Sequence, residues 1–311
     1  MLLPVLCCGP SPALQRSLRF PGWESPGDVV RTSETEWSVG GKATNAARAV
    51  NRAGGQATLL GPAGGMNGAR MRALLAGEEI DALWVEVETE TRICQTLLDE
   101  KGHRIRELVE DAGELTPGEW AELFAHVERA LPFHSALLLC GSLPAGAPEG
   151  VYAGLVELAR EARRKVVMDV RGAPLRAALP WKPDLVKINA GELQQTTGET
   201  EIPNGMRALK DLGAGEVFIT DGPRCAWLSE GRRIWRFDLP EIEAVNPIGG
   251  GDTVTGVTAL GWIGGAGLKE AAIEGLGAGL AQTLRPRPAD FEVSQARALA
   301  RNIRVHRNRG N

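Results

Sequence analysis

The chain of 311 residues lacks several features that mark particular classes of protein. Its four histidines are scattered, and its five cysteines lack the paired spacing of a zinc site, so we interpret the cysteines as reduced, mostly structural thiols. No apolar run reaches the roughly 18 residues that cross a bilayer, and the apolar start has no basic leader. We therefore expect a cytoplasmic protein without a membrane partner.

Charge of neither sign dominates the sequence. The 35 Lys and Arg residues and 39 Asp and Glu residues give a net charge of −4, which argues against a dedicated nucleic-acid binder. Residues 301–309 are locally basic, and we expect them to form a solvated C-terminus. The chain shows no internal repeat and no low-complexity linker, so we expect one domain over residues 1–311.

The most informative segment, Asn246 to Gly256, reads NPIGGGDTVTG. Gly249, Gly250 and Gly251 precede an apolar helix, and glycine backbone N–H groups at a helix start can form an anion hole. Asp252 has the wrong charge to hold phosphate but the right one to remove a proton from an attacking hydroxyl. The segment predicts phosphoryl transfer, although a glycine turn capped by an ordinary aspartate has the same pattern.

A second glycine motif, GGKATNAARAVNRAGG, spans Gly40 to Gly55. Gly40 and Gly41 let the backbone approach a ligand, Lys42 supplies a cation, and Asn45 lies one turn later on the same side of the helix. That mixture suits the recognition of a polyhydroxylated molecule. A glycine loop before a buried, alanine-rich helix fits the pattern equally well.

The two motifs together resemble the signatures of the ribokinase-like (PfkB) carbohydrate kinases, in which GGKATN comes early and GGGD late. The resemblance runs in order over nearly the whole chain and is closest to the branch containing 1-phosphofructokinase and tagatose-6-phosphate kinase. The other segments that carry it are SPALQ (Ser11 to Gln15), PGDVVR (Pro26 to Arg31), TRI (Thr91 to Ile93), CGSLPAGAP (Cys140 to Pro148), KINAGEL (Lys187 to Leu193) and ITDG (Ile219 to Gly222).

Short apolar runs alternate with helical patterns along the chain. The runs predict buried strands at Leu2–Cys7, Ala57–Leu60, Ala136–Leu139, Val166–Asp169, Leu185–Ile188 and Val217–Thr220. Predicted helices are Lys42–Ala53, Gly68–Ala76, Pro117–Ala130, Pro148–Arg163, Gly191–Thr197, Met206–Leu212, Gly250–Gly264 and Leu268–Leu284. This rhythm predicts an α/β fold with a doubly wound, mostly parallel sheet flanked by helices, as the resemblance to the ribokinase-like family also implies.

Two segments interrupt the rhythm, Leu14–Arg31 and Leu83–Glu107. Alternating polarity, as at Trp84 to Glu88, predicts strands that leave the main sheet. The resemblance implies that strands within about 12–33 and 84–107 form a small lid over the sugar. In the family such a lid often makes the dimer contact, so we expect a homodimer through the lid.

The resemblance assigns roles to the residues of the late motif and of KINAGEL. Asp252 corresponds to the base that accepts the proton of the substrate hydroxyl, and the three glycines before it hold the transferred phosphoryl group. Asn189 and Glu192 match a motif that organises Mg²⁺, partly through water. Glu192 could instead simply favour a helix N-terminus.

The resemblance also places the nucleotide. Lys187, Thr220 and Gly222 correspond to residues that line the phosphates and ribose, and residues 278–282 lie near the adenine. ATP is therefore the expected phosphoryl donor, since a glycine-rich anion hole does not itself identify the base.

The expected acceptor pocket contains Gln15, Gly40, Gly41, Lys42, Asn45 and Arg92. Lys42 and Arg92, and also Arg31 or Arg104, favour a phosphate already present on the sugar. Gln15 stands where the matched branch has an aspartate that binds sugar hydroxyls, and glutamine binds a hydroxyl without the charge. The identity of the sugar therefore stays open.

Three functions are compatible with these residues. The first is a Mg²⁺- and ATP-dependent kinase of a sugar phosphate, such as a phosphorylated ketohexose. The second is a kinase for an unphosphorylated sugar or a nucleoside, which differs only at the lid. The third is a non-catalytic protein that binds sugar phosphates, which the departure at Gln15 suggests and the intact Asp252 opposes.

Overall fold

The computed structural model describes residues 3–22, 29–32, 34–101 and 104–308. Its strands are β1 Val5–Cys8, β2 Ala13–Phe20, β3 Glu34–Gly40, β4 Ala57–Ala63, β5 Asp81–Glu86, β6 Ile93–Asp99, β7 Arg104–Val109, β8 Ala136–Cys140, β9 Lys165–Asp169, β10 Leu185–Asn189, β11 Glu216–Asp221, β12 Cys225–Glu230, β13 Arg233–Asp238 and β14 Arg304–Asn308. The helices are α1 Lys42–Arg52, α2 Gly65–Leu75, α3 Pro117–Ala130, α4 Val151–Glu161, α5 Gly172–Ala178, α6 Ala190–Thr197, α7 Ile202–Asp211, α8 Gly250–Ile263, α9 Leu268–Thr283 and α10 Val293–Ala300. Leu2, at the start of the first predicted strand, lies outside the described residues.

Ten strands form the main sheet in the order β14-β13-β12-β11-β10-β9-β8-β1-β4-β5. The strands from β11 to β5 in that order pair in parallel, and β12, β13 and β14 extend one edge in antiparallel fashion. All six predicted strands lie in the parallel part. Their continuous apolar runs reflect burial on both faces, as expected of a parallel sheet covered on each side.

Helices cover both faces of the main sheet. Along β1, Leu6 and Cys8 join a buried cluster with α3 to α7, whereas Val5 and Cys7 join a second cluster with α1, α2, α8 and α9. This alternation follows from the period of two in a strand. The doubly wound, ribokinase-like architecture predicted from the sequence is confirmed.

A smaller sheet has the strand order β3-β2-β6-β7. Its central strands β2 and β6 run parallel, and β3 and β7 flank them in antiparallel orientation. The sequence predicted strands at β2, β6 and β7 but not at β3. Residues 23–28, 33, 102 and 103 of the two predicted lid segments lie outside the described residues. In register, Gln15 lies between Ser38 and Cys94, and Thr96 lies beside Glu107.

Two predictions from the sequence differ from the structure. The alternating segment at Trp84 belongs to β5, which pairs with β4 at the edge of the main sheet rather than leaving it. An edge strand alternates in burial much as a lid strand does, so the pattern alone cannot separate them. Residues 301–308 of the basic tail are mostly solvent-exposed as expected, but Ile303 is buried and Arg304–Asn308 form β14 against β13. Among the described residues, every helix is too short or too polar to span a bilayer.

Candidate functional site

The two glycine motifs lie side by side because α1 packs directly on α8. The approach is so close that a Cβ on Gly256 would lie 2.4 Å from the carbonyl oxygen of Ala46. Alanine on one helix and glycine on the other therefore permit the contact. It brings Asn45 of α1 to Asp252 of α8, whose Oδ2 accepts a hydrogen bond of 2.8 Å from Asn45 Nδ2.

Asp169, at the carboxyl end of β9, connects the surrounding elements. Its Oδ1 lies 2.7 Å from Lys42 Nζ, and its Oδ2 accepts from Lys187 Nζ at 3.1 Å and Thr255 Oγ1 at 2.7 Å. Burial alone would raise the pKa of this carboxyl, but the Lys187 and Lys42 ammonium groups outweigh it and hold the pKa below its usual range. Asp169 therefore stays ionised in a fully buried position.

Lys42 lies between three carboxylates. It binds Glu192 Oε1 at 2.9 Å in addition to Asp169, and it feels the charge of Asp252. Burial would lower the pKa of this ammonium group, but the three carboxylates raise it well above its usual range. Lys42 is thus a permanent cation that holds two acidic groups together beneath the cleft.

The pKa of Asp252 shifts in the opposite direction from that of Asp169. Burial, together with the like charge of Asp169, raises the pKa of Asp252 to about 6, against the opposing effects of Lys42 and of the hydrogen bond from Asn45. A carboxylate with that pKa is ionised at pH 7 and is a stronger base than an ordinary aspartate. It can accept a proton from a hydroxyl placed against it.

The glycines before Asp252 form the start of α8. Gly249 has φ +84° as the residue before the first helical turn, and a Cβ there would lie 2.7 Å from Cβ of Pro288. A Cβ on Gly251 would lie 2.9 Å from Lys187 Nζ. The N–H of Gly250 already donates to the carbonyl oxygen of Pro247 at 3.2 Å. The N–H groups of Gly249 and Gly251, beside the Lys187 ammonium group, are therefore the ones left for an anion.

Asn189 and Glu192 cap helix α6. The Asn189 side chain accepts from the backbone N–H of Glu192 at 2.8 Å, and Glu192 Oε2 accepts from the N–H of Asn189 at 3.0 Å. No group of three potential metal ligands occurs in the described part of the chain. One carboxylate bordering a cleft suits a Mg²⁺ ion that keeps several waters and phosphate oxygens, and does not suit an all-protein cage.

A cleft of about 430 Å³ opens between the smaller sheet and the start of α1. Gln15, Gly40, Gly41, Lys42, Asn45, Arg92, Gly249, Asp252 and Glu107 are among its lining residues. The strand register explains which residues of the smaller sheet line the cleft, since alternate residues on β2 and β7 face it. Gln15 Nε2 donates to Thr96 Oγ1 at 2.8 Å, which leaves the Gln15 carbonyl oxygen to accept from a ligand.

Arg92 is already engaged by the backbone. Its guanidinium donates to the carbonyl oxygens of Ser11 at 2.8 Å, Glu110 at 2.9 Å and Pro12 at 3.4 Å. A guanidinium has five N–H groups, so two remain for a ligand. Arg92 therefore both ties the smaller sheet to the main body and borders the cleft.

The remaining predicted residues lie elsewhere. Thr220 and Gly222 lie at the end of β11 and in the turn after it, outside the residues that line this cleft. Arg104 pairs with Asp99 at the far end of β6 and β7, and Arg31 is exposed outside the cleft.

Sequence reasoning missed the two residues that share the buried network with Lys187. Asp169 ends a predicted apolar strand, and a carboxylate at the carboxyl end of a parallel strand was the available signal. Thr255 lies one turn after Asp252 on α8, where its hydroxyl reaches Asp169.

The chain is similar to known carbohydrate kinases. Residues 15–290 match the pfkB family carbohydrate kinases. Phosphofructokinase-2 from Escherichia coli in complex with fructose-6-phosphate is 25% identical, with 97% of this chain and 99% of that chain covered and a TM-score of 0.85.

Two further solved structures show the same fold at lower identity. A possible 1-phosphofructokinase from Thermotoga maritima is 23% identical, with coverage of 97% and 99% and a TM-score of 0.88. Ribokinase from Arabidopsis thaliana, complexed with ribose and ATP, is 17% identical, with coverage of 96% and 99% and a TM-score of 0.75.

Proposed function

Because the chain belongs to the pfkB family of carbohydrate kinases, we propose that it transfers the γ-phosphoryl group of ATP to a hydroxyl of a sugar phosphate. A phosphorylated ketohexose, as in the 1-phosphofructokinase or tagatose-6-phosphate kinase type, is the proposed acceptor. The observation that carries the proposal is the buried carboxylate of Asp252 beside the glycine start of α8, at the floor of the cleft.

In this proposal Asp252 accepts the proton of the acceptor hydroxyl as its oxygen attacks the γ-phosphorus. The backbone N–H groups of Gly249 and Gly251 hold the transferred phosphoryl group, whereas that of Gly250 first has to leave the carbonyl oxygen of Pro247. Lys187 supports the negative charge from beneath Gly251. Asn45 keeps Asp252 oriented through the bond of 2.8 Å. Thr220 and Gly222 would line the ribose and phosphates of ATP.

Magnesium is the proposed metal. Asn189 and Glu192 would hold it, partly through water, because both oxygen-bearing side chains also serve the helix cap. When bound, Mg²⁺ neutralises charge on the nucleotide phosphates.

The acceptor would bind between the smaller sheet and α1. Gln15 and Gly40 would contact its hydroxyls, and the two remaining N–H groups of Arg92 would bind its phosphate in the manner of an arginine fork. The phosphofructokinase-2 bound to fructose-6-phosphate supports a phosphorylated ketohexose by its similarity to this chain.

One observation favours a second candidate, a kinase for an unphosphorylated sugar or a nucleoside. Glu107 lines the cleft from the smaller sheet, and burial raises the pKa of its carboxyl against the opposing charge of Arg92. Its negative charge repels a phosphate, while Arg92 already has three backbone partners. The acceptor test must therefore include free sugars.

The test is ADP release with ATP and Mg²⁺ across matched pairs of acceptors, each sugar with and without its phosphate. We expect turnover with a ketohexose phosphate, a much higher KM for the free sugar, and a product with a second phosphorus signal by NMR. Turnover restricted to free sugars or nucleosides would establish the second candidate. Tight binding by calorimetry without turnover on any member would instead indicate a binding protein.

We also propose a homodimer through the smaller sheet. Leu108 lies on β7 between two cleft-lining residues, so it points to the other face, and 48% of its surface is exposed. Light scattering over a range of protein concentrations tests this arrangement. A monomer mass at every concentration would exclude it.

A further inference from the structure

A chain of polar contacts leads from the protein surface to Asp252. Glu78 accepts two hydrogen bonds from the Arg48 guanidinium, from Nη2 at 2.7 Å and from Nε. Arg48 Nη1 in turn donates to Asn45 Oδ1 at 3.3 Å, and Asn45 Nδ2 donates to Asp252 Oδ2 at 2.8 Å. Arg48 thus donates outward to Glu78 and inward to Asn45, and from Arg48 inward each donor points toward Asp252.

The direction matters because the Asn45 amide has a donor end and an acceptor end. If the amide turned by half a rotation, its oxygen would face the Asp252 carboxylate and the bond would be lost. Arginine has no acceptor, so Arg48 can stabilise only the orientation in which the amide oxygen faces it. The pair with Glu78 holds the guanidinium in place, since it occupies two of the three guanidinium nitrogens.

We propose that Arg48 is a positioning residue, which fixes the Asn45 amide so that Asn45 donates to the Asp252 carboxylate. The inference rests on the proposed function, because it takes Asp252 as the base. Arg48 lies at the wall of the cleft, but its bonds go to Glu78 and Asn45. Its effect on the reaction passes through Asn45.

The other groups around Asp252 come from separate elements. Asp169 of β9 raises the pKa of Asp252 by its like charge, whereas Lys42 of α1 and Lys187 of β10 lower it. The Cys140 thiol of β8 stays neutral because burial raises its pKa well above the usual range. Arg48 hydrogen-bonds none of these groups in the described structure, so its replacement leaves them in place.

The test compares pH profiles of kcat/KM for wild type, Arg48→Met and Arg48→Lys, using the acceptor that the ADP-release test identifies. The acid limb of this profile reports the base in the free enzyme, and it lies near pH 6 if Asp252 is that base. Loss of one hydrogen bond to the carboxylate should raise the midpoint by about one pH unit in Arg48→Met. Activity then falls about fivefold at pH 6 and little at pH 8, with the KM for ATP unchanged, and Arg48→Lys shifts less.

The control is the same substitution in an Asn45→Ala background. If Arg48 acts through Asn45, adding Arg48→Met to Asn45→Ala moves the limb no further. A further shift in that background would show that Arg48 acts on Asp252 directly by charge, and would overturn the inference. An unmoved limb with a raised acceptor KM would overturn it as well, because Arg48 would then be a ligand of the substrate.

The two proposals fail in different ways. If Asp252→Asn retains turnover within about tenfold of wild type, the proposed base is wrong and with it the proposed mechanism. If Asp252→Asn is inactive and the limb of Arg48→Met does not move, only the role of Arg48 is wrong. A melting temperature of Arg48→Met close to wild type confirms that the variant is folded in either case.

Discussion

The two ends of the cleft are built in different ways. Around Asp252 the charged groups are buried and each has partners from other elements, as Asp169 has in Lys42, Lys187 and Thr255. At the smaller sheet, Glu107 is exposed, and the Arg92 charge is the one opposite charge that acts on its carboxyl among the described residues. Mutual contacts therefore constrain the buried end, whereas single substitutions can change the lid end at little structural cost.

The largest expected effect concerns the stability of the buried end. Asp169→Asn removes the carboxylate partner of Lys187, which has 4% of its side chain exposed, and leaves that ammonium group buried without a counter-charge. We expect the free energy of unfolding to fall by about 3–5 kcal/mol, measured by urea denaturation. Glu122→Gln, which removes a surface partner of His126 and Arg129, should cost less than about 1 kcal/mol. Equal losses would break the contrast between buried and exposed networks.

The anion hole should be sensitive to a single methyl group. Gly249→Ala places a Cβ 2.7 Å from Pro288 at a φ of +84°, so the helix start must shift. We expect turnover to fall by more than about tenfold, since misplaced N–H donors lose their contact with the phosphoryl group. Gly54→Ala is the matched control, because its φ is +90° and nothing lies within 4 Å of the added Cβ. Both variants carry about 1–3 kcal/mol of backbone strain, so only Gly249→Ala should lose activity disproportionately.

The ionised carboxylate of Asp252 should lower the free energy of unfolding above about pH 6. Its pKa rises from 3.8 in a free side chain to about 6 in the fold, so the folded state binds the proton more tightly. That contribution to stability is complete below pH 3.8 and is lost as the pH rises through 6. At pH 8 the free energy of unfolding of Asp252→Asn, measured by urea denaturation, should therefore exceed that of wild type by about 1–3 kcal/mol. The difference should shrink toward pH 4. If Asp252→Asn were less stable than wild type at pH 8, the fold would not destabilise the ionised carboxylate.

The smallest effect is expected at the lid. Glu107→Gln removes the only carboxylate that the described part of the smaller sheet presents to the cleft. We expect the KM of a free sugar to rise about fivefold through a weaker hydrogen bond, and that of a sugar phosphate to fall. The KM for ATP should stay constant, and Arg106→Gln, on the opposite face of β7, should change neither KM. If the ratio of the two KM values did not change, Glu107 would not determine the preference between a free sugar and a sugar phosphate.

The same contrast explains how far the sequence predicts the fold. Continuous apolar runs identified the parallel strands, because burial on both faces leaves little room for polar residues. The antiparallel strands β12, β13 and β14 were missed, since short alternating segments at a sheet edge resemble exposed loops. Trp84 was misplaced for a related reason, because alternation at the edge of the main sheet matches alternation in a lid.

Glycine motifs identified the residues around the cleft, and the contact of α1 with α8 brings Asn45 to Asp252. The position of Asp169 at the carboxyl end of a strand was a signal in the sequence, but its partners Lys42, Lys187 and Thr255 were not, because they come from three other elements. The three backbone partners of Arg92 depend on the path of the chain and not on residue identity. Such contacts become visible only in three dimensions.

The most direct measurement is the turnover of Asp252→Asn with the acceptor that the ADP-release test identifies. Calorimetry measures the binding of ATP and of that acceptor to the same variant. If Asp252 is the base, turnover falls by about 10²–10⁴ while both ligands bind with affinities close to wild type. Turnover within about tenfold of wild type would contradict this, since a carboxamide cannot accept the proton of the hydroxyl.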